Sequence, residues 1–191
     1  MSVFDDIANS KPAERSDFIE PGSYTGVINR LILKNMNGGK TFVAELRVTE
    51  CSPKLEGRKP NSIGSTVGYV QIVGHSDQIR RTMALGNVKK FILAAFNTTE
   101  EALQPAGYTD AKGKKHEKSE FAETLEEVLG DKGLEEQPLR GFAIKWETYE
   151  KATKKGEPRS YPNFHGVDNT KEDVKKRRAQ LDSAEAELAD E

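Results

Sequence analysis

Lysine and arginine side chains concentrate in two parts of this chain, and several aromatic side chains lie close to them in the sequence. Cations neutralise the phosphates of a nucleic acid, and exposed aromatic rings stack on its bases. The basic candidates are Lys34, Lys40, Arg47, Lys145, Lys151, Lys154, Lys155 and Arg159. The predicted stacking residues are Tyr69, Tyr149 and Tyr161, while core and stacking positions are both open for Trp146 and Phe164. These residue types predict a surface for a single-stranded polynucleotide, with little dependence on its sequence.

Other kinds of chemistry are not supported by the residue spacing. Gly39-Lys40-Thr41 matches the end of a phosphate-binding loop, but that motif needs a glycine at position 34, where Lys34 stands. The histidines His75, His116 and His165 lie in separate segments and the chain has one cysteine, so no metal-ligand spacing occurs. The acidic residues lie mainly in predicted helices and tails rather than in a cluster suited to metal-assisted catalysis. The sequence therefore predicts a protein that is not an enzyme and uses no cofactor or metal.

Charge is distributed unevenly along the chain. The formal net charge is −2 at pH 7 over 191 residues. Residues 1–20 carry −3 and residues 182–191 carry −5, which leaves +6 for residues 21–181. The basic body predicts an anionic ligand, and the acidic end predicts a flexible segment that competes with this ligand. In the alternative interpretation, the acidic residues extend an exposed helix and neutralise the basic run at residues 175–178.

The sequence carries no indication of export or membrane insertion. Its single cysteine, Cys51, cannot form an internal disulfide. No run approaches the roughly 18 apolar residues of a membrane-spanning helix. The first residues also lack the basic and then apolar layout of a signal peptide. We therefore expect a cytoplasmic protein, located in the host cytoplasm if the protein is viral.

Apolar alternation and helical spacing divide the chain into strands and helices. Strands are predicted at residues 24–33, 41–49, 67–73, 141–149 and 159–167, and helices at residues 87–96, at residues 119–129 and from Thr170 onward. This order of elements is that of an OB-fold, a five-stranded Greek-key barrel. The predicted fold class is α+β, mainly β, with helices inserted in the barrel and a helix after it. The loops after the first and fourth strands border the ligand in this fold, and both are basic here.

The same pattern predicts three parts of the chain. Residues 1–20 form an arm with one short amphipathic turn at Phe4 and Ile7, residues 21–168 form the OB-fold domain, and residues 169–191 form a helix with an acidic tail. Thr170 and Asp173 have the spacing of a capping box, which marks the start of this last helix.

Alternate residues of a strand face opposite sides of a sheet, which separates core from surface aromatics. Trp146 shares its side of the fourth strand with Phe142 and Ile144, and this favours a core position. Tyr149 and Tyr69 lie on the more polar sides of their strands, so both are predicted to be exposed.

Several short segments of the chain resemble those of one protein family. These segments are residues 1–8 (MSVFDDIA), 21–24 (PGSY), 39–45 (GKTFVAE), 64–67 (GSTV), 87–91 (NVKKF) and the late KKG hairpin at 154–156. Spread over residues 1–167, they resemble bacteriophage single-stranded DNA-binding proteins. The resemblance implies an OB-fold that coats single strands during phage DNA replication or recombination. It also implies an acidic tail that recruits partner proteins or shields the DNA groove.

One departure from this family concerns the end of the chain. Such tails often end in an exposed aromatic or apolar residue, whereas this chain ends in Leu188-Ala189-Asp190-Glu191. An electrostatic role of the tail is compatible with this ending, while docking through its last residue is not indicated. The alternative function is a non-catalytic protein–protein interaction module with the same OB-like fold.

Overall fold

The described part of the chain folds into an antiparallel sheet with helices around it. The computed structural model describes residues 19–36, 39–54, 59–129, 136–152 and 158–189. The five strands in these residues are β1 (Gly22–Met36), β2 (Gly39–Pro53), β3 (Thr66–Ile72), β4 (Ala143–Ala152) and β5 (Pro158–His165). The three α-helices are α1 (Gln78–Ala95), α2 (Glu120–Leu129) and α3 (Lys171–Ala189), and Glu100–Ala102 forms a 3₁₀ turn. The predicted α+β class and the predicted order of elements are confirmed.

The strands are arranged in the order β3-β2-β1-β4-β5. β1 and β2 pair along nearly their whole length, whereas β4 pairs with β1 only from Val27 back to Ser23. Two register shifts interrupt the β1–β2 ladder, between Thr25 and Gly26 and between Ile28 and Arg30. Among the described residues no backbone pairing joins β3 to β5, so the sheet is open between these two strands.

One side of the sheet carries the main core. Its fully buried members include Ile28, Phe42, Leu46, Val67, Ile144 and Trp146, together with Phe91 and Ile92 of α1. Phe164 of β5 packs edge-on against Tyr69 of β3, with ring centroids 4.8 Å apart, and against Phe91 at 4.9 Å. The side chains of the two edge strands, β3 and β5, therefore meet in the core, although the two strands do not pair with each other.

Trp146 lies at the centre of this core. Its ring stacks on Tyr24, with centroids 5.1 Å apart and planes 14° from parallel. A β-carbon on Gly26 would lie 2.6 Å from the Trp146 ring, so only glycine leaves room for this stack. The predicted core position of Trp146 is confirmed, and Phe164 is a core-packing residue as well.

Helix α1 begins nine residues before the predicted start. The Asp77 side chain caps it by accepting a hydrogen bond from the Arg80 backbone N–H at 3.0 Å. The residues from Gln78 to Met83 are all exposed, and the first buried side chain is Ala84. These two turns carry only Ile79 and Met83 as large apolar side chains, whereas the prediction depends on the denser apolar spacing from Val88 onward.

The Gln137 side chain satisfies backbone groups of β1 at Leu31, beyond the part of β1 that pairs with β4. Its side-chain oxygen accepts from the Leu31 backbone N–H at 2.7 Å, and its amide nitrogen donates to the Leu31 carbonyl at 2.9 Å. Nearby, Gly141 N–H donates to the Ile28 carbonyl at 2.9 Å, and Ile28 N–H donates to the Phe142 carbonyl at 2.8 Å. One side-chain amide thus occupies the position of a neighbouring strand.

Helix α3 is bound to the turn before β4 by arginine side chains. The guanidinium of buried Arg140 binds Asp182 at 2.5 Å and Glu185 at 3.1 Å, both on α3. In the other direction, Arg178 donates to the carbonyls of Arg140 at 2.6 Å and Pro138 at 2.9 Å. Val174 and Leu181 of the same helix are buried.

These contacts correct the predicted flexible acidic tail. Residues 182–189 belong to a helix, and two of the three acidic side chains in this range are partners of a buried cation. The structure agrees better with the alternative interpretation, in which the acidic residues extend a helix, but it differs in one respect. Arg177 and Arg178 bind groups outside the helix, including the Gly141 and Arg140 carbonyls, instead of being neutralised along it.

A tightly bonded loop precedes α2. The His116 ring stacks on Tyr108, with centroids 4.4 Å apart. Its Nδ1 lies 2.8 Å from Glu123, and its Nε2 lies 3.4 Å from Asp110. Tyr108 donates its hydroxyl to Glu123 at 3.0 Å, and Asp110 accepts the Lys114 backbone N–H at 2.8 Å. This network fixes the loop against the first turns of α2.

We expect the stability of this loop to depend on the protonation of His116. The hydrogen bond that the His116 ring donates to Glu123, supported by Asp110, raises the pKa of His116, while desolvation and nearby Lys114 oppose this shift. A pKa that is higher in the folded than in the unfolded state contributes to the free energy of unfolding. The contribution is complete below the ordinary pKa of about 6.5, and it is lost as the pH rises through the raised pKa. A His116→Gln variant should lack this loss of stability at high pH. Urea unfolding of both proteins at about pH 6 and about pH 8 measures the change in the free energy of unfolding. The same change in both proteins would contradict the expectation.

Candidate nucleic-acid interface

The side of the sheet opposite the core presents polar and aromatic residues on the β4–β5 hairpin. Three pairs lie directly opposite each other across this hairpin: Lys145 with His165, Glu147 with Asn163, and Tyr149 with Tyr161. All six residues are exposed. Directly opposite residues share one side of a sheet, so they form a single surface, which we call the hairpin face. The predicted site residues Lys145, Tyr149 and Tyr161 are brought together on it.

The two tyrosines form an exposed aromatic pair. Their ring centroids are 5.9 Å apart with planes 24° from parallel, and they are 47% and 40% exposed. Because β1 begins at Gly22 and pairs with β4 only up to Glu147, the tyrosines lie on the two-stranded part of the hairpin. Large aromatic surfaces this exposed are available for stacking on planar ligands.

A shallow groove leads along β1 toward this pair. It has a volume of about 510 Å³, and small polar residues of β1, Ser23 and Thr25, contribute to its lining. Glu50 and Ser52 of β2 line one side, and the other is lined by Lys145, Glu147 and His165. The small β1 side chains between larger neighbours account for the concave shape.

The acidic residues of this groove have partners. Glu147 forms an ion pair with Lys54, and this hydrogen bond lowers the pKa of Glu147, so the carboxylate is ionised at neutral pH. Glu50 accepts a hydrogen bond from the Thr25 hydroxyl at 2.9 Å. The groove thus combines paired carboxylates with the cation Lys145 and the imidazole ring of His165.

The remaining described basic candidates lie away from the hairpin face, on β1 and β2. Lys34 and Lys40 are exposed near the turn between these strands, and Arg47 is half-buried in the middle of β2. Nine residues separate Thr25 from Lys34 along β1, which corresponds to about 30 Å of extended strand. Lys34 and Lys40 therefore lie apart from the hairpin face, whereas Arg47 lies across β1 from Ala143, two residues from Lys145.

Two outward positions of the sheet next to Arg47 and Lys145 are buried. Val27 of β1 pairs with Arg47 on β2 and with Ala143 on β4. In this register the three side chains face away from the core. Val27 and Ala143 are nevertheless buried. Asn169, just before α3, binds the Ala143 backbone N–H at 2.8 Å and its carbonyl at 3.0 Å. The Asn169 side chain therefore satisfies both backbone groups of Ala143 at the start of β4.

The prediction that Tyr69 is an exposed stacking residue is wrong. Tyr69 is buried, stacks on Phe91 with centroids 5.7 Å apart, and has a pKa raised by its burial. Its polar neighbour Gln71 lies toward α1, where Asn87 donates to the Gln71 side chain at 3.2 Å. Because a helix partner satisfies this amide, the side of β3 that has the more polar sequence is the inner one. Exposed Val70 lies on the other side.

The basic residues of the β4–β5 turn are described only in part. Lys151 and Arg159 are paired through their backbones at the end of the hairpin, two residues beyond the tyrosine pair. Lys154 and Lys155 lie outside the described residues.

No protein-family model matches the chain, and no curated protein is significantly similar to it. No group of three or more histidine, cysteine or acidic side chains in the described ranges could hold a metal ion. None of the helices in these ranges is long and apolar enough to cross a membrane.

Two exposed residues on the outward side of the sheet, His165 and Arg30, have no clear signal in the sequence. His165 faces Lys145 across the hairpin, and only the strand register reveals it. Arg30 is exposed on β1 opposite Glu45, because the register shift after Ile28 changes which residues face outward. A strict alternation from the start of β1 misplaces this arginine.

Proposed function

We propose that this protein binds single-stranded DNA through the hairpin face, with little sequence preference. The observation that carries the proposal is the exposed Tyr149–Tyr161 pair beside a groove that contains Lys145. Bases would stack on the tyrosines, and phosphates would be neutralised by Lys145 and by the basic residues of the β4–β5 turn. The partners would be single-stranded DNA and, as the family resemblance implies, phage replication or recombination proteins.

The topology supports an OB-like interpretation of the fold. The strand order β3-β2-β1-β4-β5 is the order of a five-stranded barrel opened between β3 and β5. The contact between Tyr69 and Phe164 brings the side chains of these two strands together. We propose a partly open Greek-key barrel, in which β1 is shared by both halves of the sheet.

A binding titration against matched oligonucleotides tests the function. The protein should bind a fluorescent single strand more tightly than the corresponding duplex, and its affinity should fall steeply as salt is added. Equal or tighter binding of the duplex would overturn the proposal. Absence of binding to either would favour the alternative of a protein–protein interaction module.

Removing the tyrosine rings should weaken binding without unfolding the domain. Each of Tyr149→Ala and Tyr161→Ala is expected to cost about 1–3 kcal/mol of binding free energy, because a stacked base loses its platform. The matched controls are Tyr149→Phe and Tyr161→Phe, which keep the ring and should retain most of the affinity. Fluorescence anisotropy measures binding, and circular dichroism checks the fold. If the Phe variants lose as much as the Ala variants, stacking is not the interaction.

The lysines of the β4–β5 turn are expected to contact the DNA backbone. Changing Lys151, Lys154 and Lys155 together to alanine should weaken binding of all sequences alike. It should also flatten the slope of log affinity against log salt by up to about 2, at about 0.7 per lost phosphate contact. The matched control changes the same charge on α3, where Lys171, Lys175 and Lys176 are exposed. Equal slopes for the two triple variants would mean that the turn makes no specific backbone contact.

A further inference from the structure

An ion pair lies on the path from the groove to the tyrosine pair. On the hairpin face, Glu147 lies between Lys145 and Tyr149, because these three residues occupy alternate positions of β4. The Glu147 carboxylate is bound by Lys54, which directly follows β2. Strands β2 and β4 are both neighbours of β1 and are therefore about 10 Å apart. The Lys54 side chain thus extends across β1 to reach its partner.

The floor of the groove beside this ion pair consists of small side chains. Ser23 of β1 pairs with Ser52 on β2 and with Glu147 on β4, so these residues form one row across the sheet. Both serines line the groove. The Lys54 and Glu147 side chains are 40% and 53% exposed. A ligand that lies in the groove therefore has access to both charges.

A carboxylate at this position opposes the binding of a polyanion, whereas its lysine partner favours it. Exposed ion pairs contribute little to stability, because water screens them and the two side chains lose conformational freedom. Lysine is a point charge on a flexible stem, so Lys54 can change partners by rotating its side chain. A phosphate of a nucleic acid is a favourable new partner, because its neutralisation also releases counterions.

We propose that Lys54 is a further phosphate-binding residue of this interface, and that it exchanges Glu147 for a backbone phosphate when a single strand enters the groove. In the free protein Glu147 occupies the place of this phosphate, so it acts as an internal competitor that limits the affinity for DNA. The exchange rests on the proposed function, because it requires a single strand in the groove.

The salt dependence of binding tests the exchange, because it reports how many phosphates the protein neutralises. Each phosphate contributes about 0.7 to the slope of log affinity against log salt for a single strand. Lys54→Met should flatten this slope by about 0.7, since it removes one contact. Glu147→Gln should leave the slope unchanged and tighten binding about threefold at low salt, because Lys54 no longer has to leave a partner.

An ion pair that stays intact in the complex gives the opposite pattern. Lys54→Met would then leave the slope unchanged, and Glu147→Gln would make it steeper, because it would free a new cation for the DNA. Either result would overturn the exchange. Fluorescence anisotropy with a labelled strand of thymidines at several salt concentrations measures the slopes, and circular dichroism checks that both variants are folded.

Glu50→Gln is the matched control, because it removes the same charge from the other side of the groove. Glu50 accepts a hydrogen bond from the neutral Thr25 hydroxyl, so its replacement should tighten binding less than Glu147→Gln does. Equal tightening by the two variants would overturn the role of Glu147 as a competitor. Binding with a slope that does not depend on Lys54 would overturn the exchange and leave the proposed function intact, whereas absence of binding in every protein would overturn both.

Discussion

Replacing Trp146 with alanine is expected to lower the free energy of unfolding by about 3–5 kcal/mol, as for large aromatic residues of a packed core. Trp146 is fully buried, its ring stacks on Tyr24, and it lies against the backbone of Gly26. Its removal leaves a cavity in the core, and the surrounding structure relaxes into such a cavity only in part. Urea unfolding followed by far-ultraviolet circular dichroism measures the loss, because the variant lacks the only tryptophan of the chain.

The contrast with Tyr149 makes this expectation specific. Tyr149 lies three residues further along β4, on the opposite side of the strand, and is 47% exposed. Tyr149→Ala should retain most of the stability and lose DNA affinity instead. The reverse result, a stable Trp146→Ala protein and an unfolded Tyr149→Ala protein, would mean that the two sides of β4 are exchanged.

Deleting residues 182–191 is expected to destabilise the fold by about 3 kcal/mol. The deletion removes both carboxylates that bind Arg140, whose side chain is buried against the domain. This value is at the lower end for the loss of a buried charge's partner, because Asp182 and Glu185 are themselves partly hydrated. Since Asp182, Glu185 and Glu187 lie on a helix and the first two are bound to Arg140, we expect the DNA affinity of the folded truncated protein to stay close to unchanged. Thermal and urea unfolding, together with DNA titrations at low salt, measure both effects.

Two sets of point variants separate the ion pairs from the length of the helix. Asp182→Asn with Glu185→Gln keeps the whole helix and should reproduce most of the loss of stability. Glu172→Gln with Glu187→Gln removes the same charge from exposed positions of α3 and should change stability by no more than about 0.5 kcal/mol. A large increase in DNA affinity on deletion, with unchanged stability, would instead support the flexible competing tail that the charge pattern predicts.

The sequence is informative where one side of an element is buried. The alternation of β2 and the spacing of Val88, Phe91 and Ile92 in α1 predict these elements, because the main core selects apolar residues at those positions. The first turns of α1 escape prediction because they bury nothing. The contact of α3 with the turn before β4 escapes as well, since it depends mainly on arginines and carbonyl groups that leave no apolar pattern.

The candidate site is predictable to a smaller extent. Tyr149 and Tyr161 follow from the alternation of two regular strands. The position of Tyr69 does not follow from alternation. Gln71, on the same side of β3, faces inward because it has a hydrogen-bond partner on α1. Register shifts in β1 have the same effect on Arg30, since one extra residue reverses the direction of every side chain that follows.

The amide of Gln137 also bears on how this protein avoids aggregation. An unpaired strand edge is a template onto which another chain can add a strand. Beyond Val27, β1 has lost its neighbour β4, and its backbone groups at Leu31 are occupied by one side chain instead. A Gln137→Leu variant would uncover this edge next to apolar residues of the longest hairpin in the sheet. The variant would therefore lose two hydrogen bonds and would also aggregate, as folded or partly folded molecules associate through β1. The extent of aggregation would increase with protein concentration.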